Sequence, residues 1–528
     1  MKKIFLILVI ALSGIIYSQK PFYQPVILCL AAHPDDEDGA TLAYYSKLKG
    51  FKTVTIFYTR GEGGQNEIGP ELYDELGKIR EQECYDASEI QGSTAYFLGM
   101  LDFGFSKTAK ETFKFWGGED SVLARIVYMI RKIRPDVVIT NHDTITTKPI
   151  RQHGHHQAVG ITAYDAFEKA ADMNYHPEQL VNGVTPWQVK KLFFRVYDTT
   201  MTNVIEIDIS EKDATGKTIE EISFDALANH RTQGMDKINR TNMGVFGKRR
   251  YELIRSDNMY PIEGDDLFAG IGEVGKKPNF GMMSYPTLYN YTKINPEDSL
   301  RLLKSLKVKT VKIGLINTYD NTLEKTMAAF KIDFEIIDSM KFYNEDLKKY
   351  EVILLDIRTY LYRKDVAGNN QKLLDYISDG GNVICFYNKP GEWNGNNYAP
   401  YPIHLTNERV TEEDSKISIL KNEKPNRYFT SPNNINENDW NDWIQERSIY
   451  LPSSDPRLTS DKYEWLLEMN DENDTVPNTS MLFANYGYGT YIYCSLALYR
   501  QLKIFLEGAL KLFLNMISQP FNSRKIIY

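Results

Sequence analysis

Strand and helix patterns alternate between residues 26 and 140, and this order constrains the fold more than any other feature of the chain. Apolar or β-branched runs at 26–32, 52–58, 95–98 and 137–140 predict strands. Helical patterns at 38–49, 76–90 and 121–133 separate these runs, and Gly50 or Gly92 follows the first two. The order predicts an α/β domain whose mainly parallel sheet is covered by helices on both faces.

A second alternating block begins after Asn295-Pro296 and predicts a separate α/β domain. Strand patterns lie at 308–316, 334–337, 352–356, 382–387 and 490–494, with helical patterns at 322–330, 371–378 and 502–516. No internal repeat of fixed period is visible. We therefore expect domains at 19–300 and 301–528.

Composition narrows the class of protein. The 528 residues include 62 Lys plus Arg and 70 Asp plus Glu, a net charge of −8 without a basic run, so nucleic acid is a disfavoured partner. Hydrophobic residues make up 42% of the chain, as in ordinary globular proteins. The four cysteines form no CxxC pair, which argues against a zinc ribbon or a disulfide scaffold.

The amino terminus has the pattern of a secretory signal peptide. Lys2 and Lys3 precede an apolar run at 4–17, which is shorter than the ~18–20 residues that span a bilayer. We expect cleavage after Ser18, giving an exported protein without a transmembrane span. The alternative is an uncleaved membrane anchor.

Histidine and aspartate side chains follow the first predicted strand and recur near residue 155. Five of the eight histidines lie between residues 33 and 156, namely His33, His142, His153, His155 and His156. A catalytic zinc site needs three imidazole or carboxylate ligands and an open position. His33, Asp36 and His156 supply that set, which leaves Asp35 to act as general base and His153 to face the oxyanion.

Each of these motifs alone has a less specific interpretation. A single His-x-x-His is more often a surface or core feature than a metal site, and an acidic run is usually a solvated turn. The two motifs together, each after a predicted parallel strand, favour a metal site, because ligands bind at the carboxyl ends of such strands.

These segments resemble the LmbE/PIG-L-like metal-dependent deacetylases over residues 24–290. The resemblance rests on Ala32-His33-Pro34-Asp35-Asp36-Glu37 and on His153-Gly154-His155-His156. Further stretches also resemble family motifs. Residues 59–66 resemble its Gly-rich loop, and Arg80 with Glu83 resembles its Arg-x-x-Glu helix. Asp102 lies where a substrate-contacting Asp is common, and 228–233 resembles a late pocket motif.

The resemblance implies a Rossmann-like sheet and hydrolysis of an N-acetyl group from an N-acetylglucosamine unit. It implies one zinc ion, or another divalent metal, on His33, Asp36 and His156. Asp35 would be the general base and then the proton donor to the amine, and His153 would steady the oxyanion. Arg80 and Asp102 would hold sugar hydroxyls. His155 departs from the family pattern and could compete with His156 as a ligand.

The second block is similar to glutamine-amidotransferase-like domains with a flavodoxin-like sheet, through residues 374–383 and 487–494. An amidotransferase needs a nucleophilic cysteine on a tight strand-to-helix elbow with a histidine nearby. Cys385 lies within a strand pattern and Cys494 lacks a glycine elbow, so we expect no amidotransferase activity. Glycan binding, shaping of the substrate cleft or assembly are the roles left open.

The sequence leaves three alternative functions to compare. The first is an exported, zinc-dependent N-deacetylase of an amino sugar or its conjugate. The second is a secreted carbohydrate-binding protein with a structural or vestigial metal site. The third, hydrolysis of a phosphoester, usually needs two metals and more carboxylates than this set offers.

Overall fold

The computed structural model describes residues 24–143, 152–182, 184–238, 247–257, 264–272, 284–285, 296–412, 414–420, 426–472, 474 and 478–519. The signal peptide expected at residues 1–18 lies outside the described residues. Within the described part of the chain, no helix has both the length and the apolar character that crossing a membrane requires.

The first domain is built on a seven-stranded sheet, as far as the described residues go. Its strands, in chain order, are β1 Val26–Ala31, β2 Lys52–Phe57, β3 Ser93–Phe97, β4 Val137–Thr140, β5 Lys191–Arg195, β6 Ile205–Asp208 and β7 Lys248–Ser256. The spatial order is β3-β2-β1-β4-β5-β7-β6. The first five strands pair in parallel, whereas β7 runs antiparallel to β5 and to β6. The predicted mainly parallel sheet is therefore present, with an antiparallel edge.

Helices flank this sheet and create two apolar cores. They are α1 Gly39–Ala43, α2 Asp74–Gln91, α3 Ala109–Phe115, α4 Glu119–Ile133, α5 Gly154–Lys169 and α6 Ile219–Leu227. Alternate residues of β1 belong to different cores: Leu28 packs with α4 and α5, and Cys29 packs with α1. This two-sided burial explains why β1 reads as a continuous apolar run.

The strand order places β1 at a topological switch point. The chain moves from β1 to β2 and β3 on one side, and β4 lies on the other side of β1. Crevices at such points, outside the carboxyl ends of the strands, are where α/β sheets bind ligands. The predicted site residues follow β1 and β4, so the fold brings them to that crevice.

The second domain has its own sheet, with eight strands among the described residues. These strands are β8 Ile313–Ile316, β9 Phe334–Ile336, β10 Val352–Leu355, β11 Asn382–Phe386, β13 Lys416–Ile419, β15 Glu464–Asn470, β16 Asn478–Tyr486 and β17 Gly489–Cys494. The order is β13-β15-β16-β17-β11-β10-β8-β9, parallel from β17 to β9 and antiparallel elsewhere. Strands β12 Arg409–Val410 and β14 Ser448–Ile449 form a separate pair.

Ten α-helices are described in the second domain. They are α7 Pro296–Ser305, α8 Thr322–Ala329, α9 Ser339–Asn344, α10 Thr359–Tyr362, α11 Lys364–Gly368, α12 Gln371–Ser378, α13 Pro390–Trp393, α14 Arg427–Thr430, α15 Leu498–Lys503 and α16 Glu507–Ile517. The predicted helix at 502–516 is wrong as one element, because the chain leaves the helical conformation at Phe505, where φ is 57°. The flavodoxin-like assignment stays a prediction.

Both cysteines of the second domain lie inside its core. Burial raises the pKa of the Cys385 and Cys494 thiols to about 12. A nucleophilic cysteine needs a lowered pKa and access to substrate. These two side chains therefore have the properties of small apolar core residues.

The two domains share a packed interface. Leu72 and Tyr73, from the segment before α2, belong to the apolar core of the second domain. Gln65 Nε2 donates to Tyr387 Oη over 2.7 Å, and Lys107 Nζ lies 2.8 Å from an Asp471 carboxylate oxygen. The cleft beside β1 is consequently bounded by both domains.

Candidate active site

The turn after β1 carries the acidic motif. The backbone N–H of Asp36 donates to the carbonyl of His33 over 3.2 Å, and Asn141 Nδ2, which follows β4, donates to the carbonyl of Asp36 over 2.7 Å. Asp35 has a φ of 87°, a conformation that is sparsely populated by residues with a side chain. Such strain persists only where surrounding contacts impose it, and it concentrates at functional sites.

The three predicted metal ligands converge on one carboxylate oxygen. Asp36 Oδ2 lies 2.9 Å from His33 Nδ1 and 3.2 Å from His156 Nε2. His156 is in the first turn of α5, so the packing of that helix beside β1 sets its position. Although burial opposes it, the charges and hydrogen bonds of His156 and His33 hold the pKa of Asp36 well below its ordinary range.

His142 and His153 also lie within metal-binding distance of this group. Ligand atoms of His33, His153 and His156, and those of Asp36, His142 and His156, lie within 4.8 Å of one another. The backbone N–H of Ala32 donates to His142 Nε2 over 3.0 Å, which occupies the lone pair that nitrogen would offer a metal. His142 therefore supports the turn after β1.

His155 occupies a different place from His156. Its side chain is fully buried, its ring centroid is 5.0 Å from that of Trp116, and its Nδ1 is 2.8 Å from His33 Nε2. His33 thus presents Nδ1 to Asp36 and Nε2 to His155. This contact fixes the orientation of the His33 ring, a common role of groups that lie behind a metal ligand.

Asp35 is half-buried beside the ligand group without being part of it. Burial, followed by the charge of Asp36, raises the pKa of Asp35 to about 7, and His230 and Arg80 act in the opposite direction. Its side chain lines the cleft. A carboxylate with a pKa near the working pH is suited to accept and return a proton.

Arg80 is buried and binds the glycine-rich loop after β2. Its Nη1 donates to the carbonyl of Gly61 over 2.6 Å, its Nη2 to the carbonyl of Gln65 over 2.8 Å, and its Nε to Thr232 Oγ1 over 3.1 Å. Arg80 lines the cleft, but these contacts with protein atoms use much of its donor capacity. Sugar binding by Arg80 stays a prediction.

Close packing of the loop on its surroundings explains its glycines. A Cβ on Gly63 would lie 2.4 Å from the carbonyl oxygen of Asp102, and one on Gly64 would lie 2.4 Å from Arg80 Nη1. The carboxylate of Asp102 accepts from the N–H of Gly104 over 2.8 Å and also lines the cleft. The glycines are therefore required for close approach.

The late motif at 228–233 closes the inner side of the cleft. Glu83 accepts hydrogen bonds from the N–H and hydroxyl of Thr232, over 2.9 and 2.6 Å. His230 Nε2 lies 3.2 Å from Glu37 Oε1, and Gln233 Nε2 donates to the carbonyl of Pro34 over 2.6 Å. The motif therefore supports the turn after β1.

Residues of the second domain complete the wall of the cleft, which has a volume of about 390 Å³. No local sequence pattern indicates that these residues line the cleft, because more than 300 residues separate them from the β1 turn. Shaping of the cleft was one of the roles left open for this domain. The residues are Lys389, Arg409, Glu446, Tyr450 and Arg500.

The donor set fits a zinc ion. Burial is the first cause that lowers the pKa of His142, His153 and His155 well below the ordinary value, so the rings that surround the expected ligands are neutral. Although burial opposes it, the hydrogen bond to Asp36 raises the pKa of His33. His153 Nδ1 is buried and has no hydrogen-bond partner among the described residues. Imidazole nitrogen with one carboxylate oxygen is a donor set that catalytic zinc sites use.

Comparisons with known proteins agree with this geometry. Residues 28–167 match the family described as PIG-L: GlcNAc-PI de-N-acetylase. The matched segment lies within the first domain, spans β1 to α5 and contains His33, Asp36 and His156. The resemblance predicted over residues 24–290 is thus confirmed for residues 28–167, whereas the glutamine-amidotransferase-like assignment of the second domain stays a prediction.

Two relatives carry the name 1D-myo-inositol 2-acetamido-2-deoxy-alpha-D-glucopyranoside deacetylase 1. The one from Frankia alni is 33% identical over 184 residues, 31% of this chain and 59% of the relative. The one from Catenulispora acidiphila is 29% identical over 237 residues, 40% of this chain and 70% of the relative. The N,N'-diacetylchitobiose deacetylase from Pyrococcus horikoshii is 18% identical, with a TM-score of 0.34, over 48% of this chain and 94% of that one.

Proposed function

We propose that this protein is an exported, metal-dependent hydrolase that removes the N-acetyl group from an N-acetylglucosamine-type sugar or its conjugate. The observation that carries the proposal is a half-buried carboxylate, Asp35, beside a convergent histidine and aspartate donor set in one cleft. The matched relatives are named as deacetylases of such a sugar unit, which supports the same reaction class.

His33, Asp36 and His156 would hold the metal. When bound, zinc lowers the pKa of a coordinated water to about 7 and polarises a carbonyl oxygen. Asn141 holds the backbone of Asp36 through its carbonyl, and His155 holds the ring of His33. This support matters because loss of a group behind a ligand typically costs ~10–100-fold in metal affinity or activity.

Asp35 would move the proton in both halves of the reaction. As a carboxylate it accepts the proton of the attacking water, and as a carboxylic acid it then donates that proton to the departing amine. Its pKa of about 7 makes both forms accessible near neutral pH. Its strained backbone holds the carboxyl group in the cleft, where the two transfers need it.

His153 would donate a hydrogen bond to the oxygen that becomes negative during attack. Its ring lies 4.0 Å from that of His156 and 5.1 Å from that of His33, measured between centroids. Donors fixed at such a position are typically worth ~10²–10³-fold in kcat. Arg80 and Asp102, which line the same cleft, would contact the sugar.

Export of the protein is part of the proposal. Its support is the pattern of Lys2, Lys3 and the apolar run before Ser18. Expression of the full chain followed by sequencing of the mature amino terminus tests it. A first residue of Gln19 is the expected result, and recovery of the intact chain with a membrane fraction would contradict it.

Acetate release by the metal-loaded protein tests the activity, with N-acetylglucosamine and N,N'-diacetylchitobiose as substrates. We expect His156→Gln to lose most bound zinc and at least ~10-fold of activity. His176→Gln is the matched control, because His176 lies at the surface and contacts Asp120 and Glu178. Absence of acetate from every N-acetyl sugar supplied would overturn the proposal, as would equal zinc content in the two variants.

A further inference from the structure

Two cations of the second domain line the same cleft as the histidine and aspartate group. The side chains of Lys389 and Arg409 are 30% and 21% exposed, so both remain able to contact a ligand. Neither belongs to the segment that matches the deacetylase family, residues 28–167. Lys389 and Arg409 are therefore contributed to the cleft by a part of the chain outside the matched segment of the first domain.

Arg409 is held in place from both domains. Its guanidinium lies over the ring of Phe105, 4.8 Å from the centroid, and over the ring of Tyr450 at 4.9 Å. Its Nη1 donates to Glu446 Oε1 over 2.7 Å and its Nη2 to Tyr450 Oη over 3.2 Å. A guanidinium has five N–H donors, so these two contacts leave others for a ligand. Because the side chain is already ordered, little rotamer entropy is lost on binding.

The charges around Arg409 do not cancel. The carboxylate of Glu446 forms ion pairs with both Arg409 and Arg500. The side chains of Glu446 and Arg500 are almost fully buried. These three side chains carry one net positive charge. Lys389 places a second cation in the wall, but Glu67 and Glu392 balance the charges of Lys389 and Arg358, so the net positive charge is that of the Arg409 group. A partly exposed cation held in this way favours an anionic ligand.

Phe105 connects this wall with the reaction centre. The same ring that lies under Arg409 has its centroid 5.3 Å from that of His153. One aromatic side chain thus separates the guanidinium from the histidine expected to face the acetyl group. A substituent on the sugar whose acetyl group lies at His153 can therefore reach Arg409.

We infer that Arg409, aided by Lys389, binds an anionic substituent of the amino-sugar substrate, a phosphate or a carboxylate, and sets the preference for it. This inference rests on the proposed deacetylase function and adds the substrate class. Arg suits either group, because its planar donors match two oxygens at once.

The test compares kcat/KM for acetate release from neutral and anionic sugars. The probes are N-acetylglucosamine, its 6-phosphate, its 1-phosphate and N-acetylmuramic acid, so the phosphate and carboxylate arms are separate. We expect at least one anionic sugar to be preferred by about 10-fold or more, and the preference to fall as salt is added.

Variants assign the preference to residues. Arg409→Gln is expected to reduce the ratio of anionic to neutral kcat/KM by about 10- to 100-fold, and Lys389→Gln to reduce it less. Arg409→Lys should restore part of the ratio, because it keeps the charge. Arg457→Gln is the matched control, since Arg457 is 86% exposed and pairs with Asp455 on the same domain.

Two results would overturn the inference. One is equal kcat/KM for neutral and anionic sugars in the wild-type protein, and the other is an unchanged ratio in Arg409→Gln. A purely structural role for Arg409 would lower both activities together and leave the ratio as it was. If no sugar releases acetate, the proposed function fails, and calorimetric binding of N-acetylglucosamine 6-phosphate to wild type and Arg409→Gln still decides the anion site.

Discussion

Replacement of Asp35 by asparagine separates proton transfer from metal binding. Asparagine has nearly the same shape as aspartate but cannot accept the proton of the attacking water. General base catalysis contributes ~10²–10⁴-fold, which corresponds to ~3–5 kcal/mol of transition-state stabilisation. Because the Asp35 side chain lines the cleft and its pKa is about 7, we expect a loss in this range.

The backbone at this position makes asparagine the right substitution. Asp35 has a φ of 87°, and asparagine, like aspartate, visits positive φ far more readily than most residues do. Alanine would add backbone strain to the loss of the carboxylate, so its effect could not be assigned to proton transfer alone. Asp35→Asn should therefore retain the fold, the zinc content and the substrate KM.

The assay is acetate release at saturating sugar, with zinc measured by elemental analysis of the same samples. Asp86→Asn is the matched control, because Asp86 is an exposed carboxylate on α2 that accepts a hydrogen bond from Gln82. It should keep full activity. An Asp35→Asn protein that binds zinc and retains more than about a tenth of the wild-type kcat would refute the role of Asp35 as general base.

Three further substitutions test the surroundings of the site. Gly63→Ala places a Cβ 2.4 Å from the Asp102 carbonyl oxygen, so the loop must move; kcat/KM should fall by at least ~10-fold, and unchanged kinetics would contradict the tight packing. Arg80→Lys loses the planar fork that binds the same loop, and chemical denaturation should show ~1.5–3 kcal/mol less stability. Glu446→Gln breaks a buried ion pair with Arg500 and should cost ~3–5 kcal/mol at pH 7. Although burial opposes it, Arg500 lowers the pKa of Glu446. The ion pair therefore stabilises the fold above pH ~4.3, and this stabilisation is lost as the pH falls further. A difference in stability between wild type and Glu446→Gln that stays the same at lower pH would contradict the role of the ion pair.

The local part of the site could be predicted because short segments determine it. The run from β1 into His33 and Asp36 combines a buried strand with a polar turn, and both patterns are visible in consecutive residues. The three-residue spacing of His153 and His156 places both at the start of α5, which the structure shows. The parallel order of β1 and β4 then brings the two segments to the same edge of the sheet.

Contacts over long sequence distances could not be predicted in the same way. The role of His155 depends on the 2.8 Å contact with His33, which is 122 residues away, and no local pattern distinguishes His155 from its neighbour. The need for Gly63 depends on the approach of Asp102 from another loop. Arg409 lies in the cleft only because the two domains pack together. Sequence periodicity predicts single helices and strands, so it could not predict this packing.

The glycine-rich loop couples the geometry of the cleft to the packing of the two domains. Its first part is held by Arg80 within the first domain, whereas Leu72 and Tyr73, a few residues further on, belong to the core of the second. Burial of such side chains is worth ~1.5–3 kcal/mol each, and separation of the domains would expose both to water. The conformation of the loop, and with it the position of Gly63 against Asp102, therefore depends on the second domain being in place. A cleft built in this way needs both domains for its shape, even though the residues expected to perform the chemistry all lie in the first domain.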